Sequence, residues 1–518
     1  MAYSPACFFD VWAWVENLPP ITQWRSDSIS TSISSSSSSS FSSSYQPSLK
    51  LSITRSLHSS SIRLAIFADY SLHVALWTSN PIQITSKGLL NQETIFHLLT
   101  NIVQSVLNYG HTRRRTWAPL RLPRLDYYDD CNNIKDIFNI SFLTLSFVVC
   151  IYECPQDLRA TCIHTLKDQF AGPRSRASSL LLMRLLGSDI EERWMRTVNL
   201  AITNWIVELE ARNLQGSIRT PSTLFSYSNS SFGLWKVQLY CPVIAMDVEK
   251  SSSPSPDDHL RFSLNYHQLE GVIQLNYRVL VRDNWIEVLV NTDNIRCDVV
   301  RLLDESQMKG RGAGACEKHF PSRISLKLTP SSPQINILSV SVSRSSENPA
   351  REIGTERTVE ASFEPPNLGL GLKVGGSETA VASLKPWKFE QSVKGDTACL
   401  NWFLHDSGDG REVFSSKPSK LAMMHPKAWF KHRYSNVFRP FTRQGGVIFA
   451  GDEYGEKVVW KLEKKTTSPA AAAAAAAGIM DWELSACIWL TYWPNKHKTF
   501  YTDTRMCEFK QLLHLSLV

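Results

Sequence analysis

The chain has 518 residues, 43% hydrophobic and 20% charged, with a formal net charge of +7. That length exceeds one ordinary core and predicts two domains, and the composition excludes a wholly disordered chain. The charge excess is too small for a dedicated nucleic-acid binder, although it permits contact with phosphates or anionic lipid.

Residues 1–25 hold Phe8, Phe9, Trp12 and Trp14 among Asp10 and Glu16. They have neither the basic n-region nor the small-residue cleavage site of a secretory signal. They read as a small apolar anchor that docks on a hydrophobic surface elsewhere in the protein. Residues 26–61 are dominated by serine, with an unbroken run from Ser34 to Ser40. Too little apolar surface is apparent there to offset the ordering entropy, so the expectation is a disordered linker. An organelle transit peptide would start directly with such a tract, which argues against import. Eleven cysteines without a repeating spacing predict reduced thiols in an intracellular compartment, cytoplasmic or nuclear.

Residues 62–215 are predicted to be a mainly helical domain. It opens with RLAIFADYSLHVALWT (63–78), one or two strands turning near Asp69. Ile95, Leu99, Ile102, Val103 and Val106 then recur at helical spacing, from Asn91 as cap to Gly110 as stop. The apolar block Ile137–Tyr152 is shorter than the roughly 20 residues a spanning helix needs, and it contains Asn139, Ser141, Thr144 and Ser146. It is expected to be a buried core element, with no transmembrane span. A further helix starts at Ser188, where Glu191 completes capping-box spacing, and carries Ile190, Trp194, Val198, Ile202, Trp205 and Leu209 as one stripe.

From about residue 220 to 518, short runs of period two separated by turn residues predict an antiparallel β-domain, a sandwich or a barrel-like fold. RFSLNYHQL (261–269) and VIQLNYRVLV (272–281) are expected to face each other across Glu270-Gly271, with NWIEVLVN (284–291) following a turn near Asp283-Asn284. RISLKLT (323–329) and INILSVSVS (335–343) flank a Ser-Ser-Pro turn. ACLNWFL (398–404), GVIFAG (446–451), KVVWKL (457–462) and ELSACIWLTYW (483–493) complete the set. The alanine run 470–477 is expected at a hairpin tip, where added length is tolerated. The fold class is therefore α+β: a helical N-terminal region plus a large antiparallel β-domain.

Two segments concentrate positive charge. Residues 427–443 interleave Lys427, Lys431, Arg433, Arg439 and Arg443 with Trp429, Phe430, Tyr434, Phe438 and Phe441. That composition suits a surface that stacks bases or wets a membrane interface while neutralising phosphate. Aromatics that anchor a loop while basic side chains snorkel to water would look the same. A second cluster, Arg113, Arg114, Arg115, Arg121 and Arg124, sits in an extended proline-containing stretch. It could grip phosphates or act as an import signal, or pair locally with the acids of DYYDD (126–130).

Other motifs read more plainly. Cys150, Cys154, Cys162 and His164 match no standard zinc spacing, so no metal and no cofactor is expected. HDSGDGRE (405–412) carries His, Asp and Ser in adjacent positions, which point to different sides of an extended chain and form a good turn. GDEYGE (451–456) is likewise read as a turn. KGRGAGACEKHFPSR (309–323) lacks the Gly-Lys-Ser/Thr of a phosphate loop and precedes a strand, so it reads as a long basic strand-to-strand loop.

Several blocks resemble a land-plant protein family with no assigned function: FFDVWAWVENLPP, RRRTWAPLRLPRLDYYDDCNNIKDIFNISFLTLSFVV, GPRSRASSLLLMRLLG, NWIEVLVNTDNIRCDVVRLL, FTRQGGVIFAGDEYGE and IWLTYWPNKHKTFY. The resemblance implies a plant source and one integrated protein, and it transfers no catalytic residue or ligand. The functional expectation is a non-catalytic binding or scaffold protein that holds an anionic partner (protein, lipid headgroup or RNA) through the basic-aromatic surface. Two alternatives compete with it. One is a carbohydrate-active or other hydrolytic enzyme, with Trp387, Trp402 and Trp429 as stacking platforms and Asp406, Asp409 or Glu412 as acid or base. It would need two carboxylates in a concave pocket. The other is a structural subunit of a complex.

Overall fold

The computed structural model describes residues 9–19, 23–33, 48–56, 61–70, 72–83, 92–110, 122, 131–212, 224–231, 233–243, 246–248, 266–310, 318–331, 336–343, 350–359, 374–383, 387–404, 447–450, 457–463, 479–493 and 504–516. The chain divides into two compact units, Met1–Arg219 with Leu302–Asp304, and Thr220–Arg301 with Glu305–Val518.

The first unit combines a small antiparallel sheet with helices. Strands β1 (Ser28–Ser32), β2 (Ser48–Arg55), β3 (Ser61–Asp69) and β4 (His73–Thr78) are neighbours in that order, and β5 (Ile82–Gln83) pairs with β3. The expected linker 26–61 thus contains two strands, which corrects the reading of that stretch as disordered throughout. The physical reason is local: Leu49, Leu51 and Ile53 alternate with polar residues in β2 and are fully buried. Each such side chain contributes roughly 1.5–3 kcal/mol on burial, enough to order a short strand among serines. The run Ser34–Ser40 itself lies outside the described residues. The strands expected at 63–78 are β3 and β4, a hairpin with Asp69 opposite His73.

Helices α1 (Val11–Glu16), α2 (Gln92–Asn108), α3 (Cys131–Glu153), α4 (Gln156–Ala171), α5 (Pro173–Leu186) and α6 (Ser188–Arg212) complete the unit. Helix α3 is its centre and packs against α1, α2, α4, α5, α6 and β4. With 23 residues it is longer than the apolar block suggested, and by length and composition it could span a membrane. However, 83% of its most apolar stretch is buried within the protein. Its polar residues need no outside partner for their hydroxyls. Ser141, Thr144 and Ser146 donate to the carbonyls of Ile137, Ile140 and Phe142, one turn earlier.

Asn139, also fully buried on α3, docks the N-terminal segment. Its Oδ1 accepts the Trp12 N–H at 3.0 Å, and its Nδ2 donates to Asp10 Oδ1 at 2.8 Å. Asp10 also caps α1 by accepting the Ala13 N–H at 2.9 Å. Val11, Trp12 and Val15 are buried, with Trp12 edge-on to Phe138. Further along, α5 ends at Gly187, whose φ of 73° lets the chain turn before Ser188 opens α6.

The second unit is a β-sandwich. One sheet runs β12 (Ile337–Val342), β18 (Lys457–Glu463), β10 (Trp285–Arg301), β9 (His267–Val281), β7 (Leu234–Pro242) and β6 (Phe225–Ser231), with β17 (Val447–Ala450) also on β10. The other runs β15 (Trp387–Lys394), β16 (Thr397–Leu404), β11 (Lys318–Pro330), β19 (Ile479–Trp493), β20 (Thr504–Ser516) and β8 (Asp247–Val248). Strands β13 (Ala350–Val359) and β14 (Val374–Ser383) form a separate pair, and a short helix α7 (Glu305–Gly310) follows β10. Every strand pairing is antiparallel, as the period-two pattern predicts.

A single apolar core lies between the two sheets. Trp235 and Trp460 from one sheet meet Trp482 from the other, at ring-centroid distances of 5.8 and 4.6 Å. Trp402, also fully buried, packs on Phe389 at 5.0 Å. It therefore faces the core and is no exposed stacking platform, contrary to the role it would have in an enzyme on this domain.

Four further expectations are corrected. Residues 267–281 form one continuous strand, β9, and Glu270-Gly271 is not a turn. Gly271 sits between Leu239 and Cys297 in register, and a Cβ there would come within 2.8 Å of Leu239 Cγ. Close packing, not chain reversal, requires the glycine. The runs 323–329 and 335–343 do not form a hairpin, because β11 and β12 belong to opposite sheets. The same is true of β18 and β19, so the alanine run between them joins two sheets and is not the tip of a hairpin. The basic segment 309–323 is narrower as a connection than expected, since Gly310 ends α7 and Lys318 begins β11.

Candidate functional site

The residues singled out by composition lie outside the described residues. These are Lys427, Trp429, Phe430, Lys431, Arg433, Tyr434, Arg439 and Arg443, and likewise Arg113, Arg114, Arg115, Arg121 and Arg124. The same holds for Asp406, Asp409 and Glu412, and for GDEYGE. Within the described residues, the sandwich itself builds a basic-aromatic site on the outer face of its second sheet.

Strand β11 alternates in the usual way: Ile324, Leu326 and Leu328 point into the core, and Arg323, Ser325 and Lys327 take the outer face. The register shifts between Pro321 and Arg323 against β19. Proline tolerates such a bulge, and a bulge re-aims the side chains that follow it. Ser322, fully buried at the bulge, is held by the Trp489 carbonyl at 3.3 Å and the Thr491 hydroxyl at 2.8 Å. Arg323 then stands directly opposite Phe403 of β16 on one side and Trp489 of β19 on the other. Its guanidinium carbon lies 4.8 Å from the Phe403 ring centroid and 4.3 Å from that of Trp489. Both distances are inside the range in which a cation is attracted to a ring face.

This pair of contacts belongs to a continuous cross-strand row, Lys388–Phe403–Arg323–Trp489–Met506–Asp247. Flanking rows place Ser325, Cys487 and Glu508 side by side, then Lys327 and Ser485. Lys388 pairs with Glu390 at 2.6 Å and Lys510 with Glu483 at 3.2 Å, so those two charges are locally neutralised. Lys327 is exposed and forms no ion pair among the described residues. Burial pushes the Cys487 thiol up, and Glu508 adds to this, while Lys327 and Arg323 pull it the other way. Both cations thus bear on the same small area of the sheet.

A different polar cluster lies on the outer face of the first sheet. Glu270 and Asp298 are cross-strand partners, 4% and 3% exposed. Opposite carboxylates in such a pair have Cβ atoms about 5 Å apart and repel. Arg296 Nε engages Asp298 at 2.5 Å, and Gln268 Nε2 donates to Glu270 Oε1 at 2.9 Å. An enzyme reading needs two carboxylates, and this buried pair is tied by those donors into a structural cluster.

The cysteine-histidine spacing does not assemble a metal centre. Cys150, Cys154 and Cys162 are buried, whereas the His164 side chain is 81% exposed and pairs with Asp168 at 3.4 Å. Hydrogen bonds to Cys154 and Cys162, together with burial, push the Cys150 thiol up. No group of three or more histidine, cysteine, aspartate or glutamate side chains able to hold a metal occurs among the described residues.

Arg323 was embedded in a run read only as a strand, RISLKLT, and its partners lie about 80 and 166 positions further along the chain. Period-two alternation assigns it to the outer face. Which aromatics flank it depends on strand order, which the local sequence does not carry.

No family model and no curated protein matches the chain. Among solved structures it is similar to the Clostridium perfringens NetB toxin in its membrane-inserted form, at 9% identity over 57% of this chain and 95% of that one. The TM-score is 0.22, too low for that likeness to carry any argument about fold or function.

Proposed function

We propose that this chain is a non-catalytic binding protein that holds an anionic partner on the outer face of its second sheet. The observation that carries the reading is Arg323 stacked between Phe403 and Trp489. Two aromatic rings lie within cation–π distance of the guanidinium, a planar fork of donors of the kind that recognises carboxylate and phosphate bidentately. Lys327, four residues further along β11 on the same face, adds an exposed charge that forms no ion pair among the described residues. The segments 427–443 and 113–124 supply ten further basic residues to the chain and extend the same chemistry. An intracellular, reducing setting fits the eight cysteines whose side chains are described, all of which carry free thiols.

The test is binding of the full chain to vesicles with and without anionic lipid, and to single-stranded RNA, at several salt concentrations. Salt-sensitive binding to one of these is expected, weakened by Lys327→Glu, because exposed charges are screened within about 8–10 Å at moderate ionic strength. Absence of salt-sensitive binding to both would overturn the reading for lipid and RNA and leave an acidic protein surface as the partner to assay.

A further inference from the structure

Five cysteines with described side chains lie in the sandwich, and the alternation of its strands sorts them by face. Cys399 is the cross-strand partner of Lys327 and Cys487 that of Ser325, on the outer face of the second sheet. Cys241 of β7, Cys297 of β10 and Cys507 of β20 point inward and belong to the apolar core between the sheets. They are 2%, 0% and 3% exposed.

The path of the chain brings two of these three together. After Pro242 it leaves the first sheet, and from Asp247 it pairs on the second, with Asp247 opposite Met506 and Val248 opposite Arg505. Cys241 therefore precedes the crossing on one sheet, and Cys507 follows Met506 on the other. Their side chains meet in the core. The Cys507 thiol is hydrogen-bonded to the Cys241 thiol, and Cys241 Sγ in turn donates to the Pro242 carbonyl at 3.5 Å. Cys297 lies close enough to Cys507 for the two thiols to interact electrostatically. It cannot bridge to Cys241, because β9 separates their strands: Cys241 is in register with Leu269 and Cys297 with Gly271. Two strand spacings are about 9.5 Å, beyond the roughly 7 Å between Cα atoms that a disulfide allows.

We infer that Cys241 and Cys507 are a redox-sensitive pair, which a small-molecule disulfide closes into a disulfide bond between the two sheets. A thiolate of one cysteine attacks the reagent to form a mixed disulfide, and the second thiolate displaces the reagent's remaining half. The protein gives up two electrons and two protons, and the reagent leaves as two thiols. Both cysteines are buried, so the reagent meets them while the chain folds. In a reducing compartment the pair stays as two thiols; an oxidising one adds a covalent tie to the apolar contact between the sheets. The pair needs neither the Arg323 site nor its partner, so the two readings stand or fall separately.

The test refolds the full chain in buffers of oxidised and reduced glutathione at stepped ratios, quenches with acid and maps the product by mass spectrometry without reduction. The expected product is a linked pair of peptides carrying Cys241 and Cys507, absent when only reduced glutathione is present. The urea midpoint of the oxidised protein should lie about 1 M above that of the reduced protein, because closing so long a loop restricts the unfolded chain. Cys507→Ala should abolish both the link and the rise, and Cys297→Ala should retain both. Free thiols at Cys241 and Cys507 in fully oxidised buffer overturn the inference. So does a main product in which Cys507 is joined to Cys297 or to glutathione. Should the chain not refold from denaturant, native protein held with oxidised glutathione in urea just below its midpoint reads the same link.

Discussion

Replacing Gly271 by alanine is a severe test of the β9 assignment. The added Cβ would lie 2.8, 2.9 and 3.2 Å from three carbons of Leu239, where ordinary contact begins near 3.4 Å. Leu239 is fully buried in the core between the sheets, so making room for the methyl group disturbs its packing. Overpacking of this kind costs about 1–3 kcal/mol. With a slope of about 3 kcal/mol/M, the urea midpoint should fall by ~0.3–1 M. Leu239→Ala alone should cost roughly 2–5 kcal/mol through the cavity it leaves. In the double variant the new methyl group enters that cavity, so the two losses should sum to less than their separate values by about 1 kcal/mol or more. Equilibrium unfolding read by the near-ultraviolet signal of the buried tryptophans measures all three. A neutral or stabilising Gly271→Ala, or strictly additive losses, would refute the reasoning and return Gly271 to a turn.

Two other predictions follow from the buried polar groups. Asn139→Ala should cost ~1–3 kcal/mol by leaving the Trp12 N–H and the Asp10 carboxylate without their shared partner. Amide exchange across α1 should accelerate before that of α3, and simultaneous acceleration of both would contradict the docking role. Cys150, Cys297 and Cys507 have thiols pushed up, by hydrogen bonding to other thiols and by burial at Cys150 and Cys507, and chiefly by burial at Cys297. At neutral pH they should resist maleimide labelling until the chain unfolds, because the thiolate is the reactive form and its fraction falls as the pKa rises. Half-exposed Cys487 should label first among these four, slowly and faster as pH rises, as peptide mapping can establish.

Much of the architecture was legible because it rests on periodicity. The stripe on α2 and the alternation in β16, β18 and β19 reflect one buried face each, and that pattern needs only local sequence. The failures share a different cause. Glu-Gly at 270–271 has the composition of a turn, but its glycine is there to admit Leu239 from the neighbouring strand. Leu49, Leu51 and Ile53 were outweighed by the serines around them, although alternate burial of three side chains was enough for a strand. In α3, the hydroxyls that interrupt the apolar run are satisfied within their own helix, so they set no limit to its length. The Arg323 site is the clearest case of a non-local feature: the alternation gives its face, while strand order gives its neighbours. The serines of FSYSNSS are equally plain in the sequence, but their partners depend on β20 lying opposite.

The most direct test of the binding surface is the charge-conserving substitution Arg323→Lys. Lysine keeps the positive charge but loses the planar fork and the stacking on two rings. The binding face predicts about a tenfold loss of affinity for whichever anionic vesicle or RNA the unaltered chain binds, equivalent to about 1.4 kcal/mol, with thermal stability little changed. Equal affinity of Arg323→Lys and the unaltered chain would contradict it, showing that net charge alone, and not this stacked guanidinium, holds the partner.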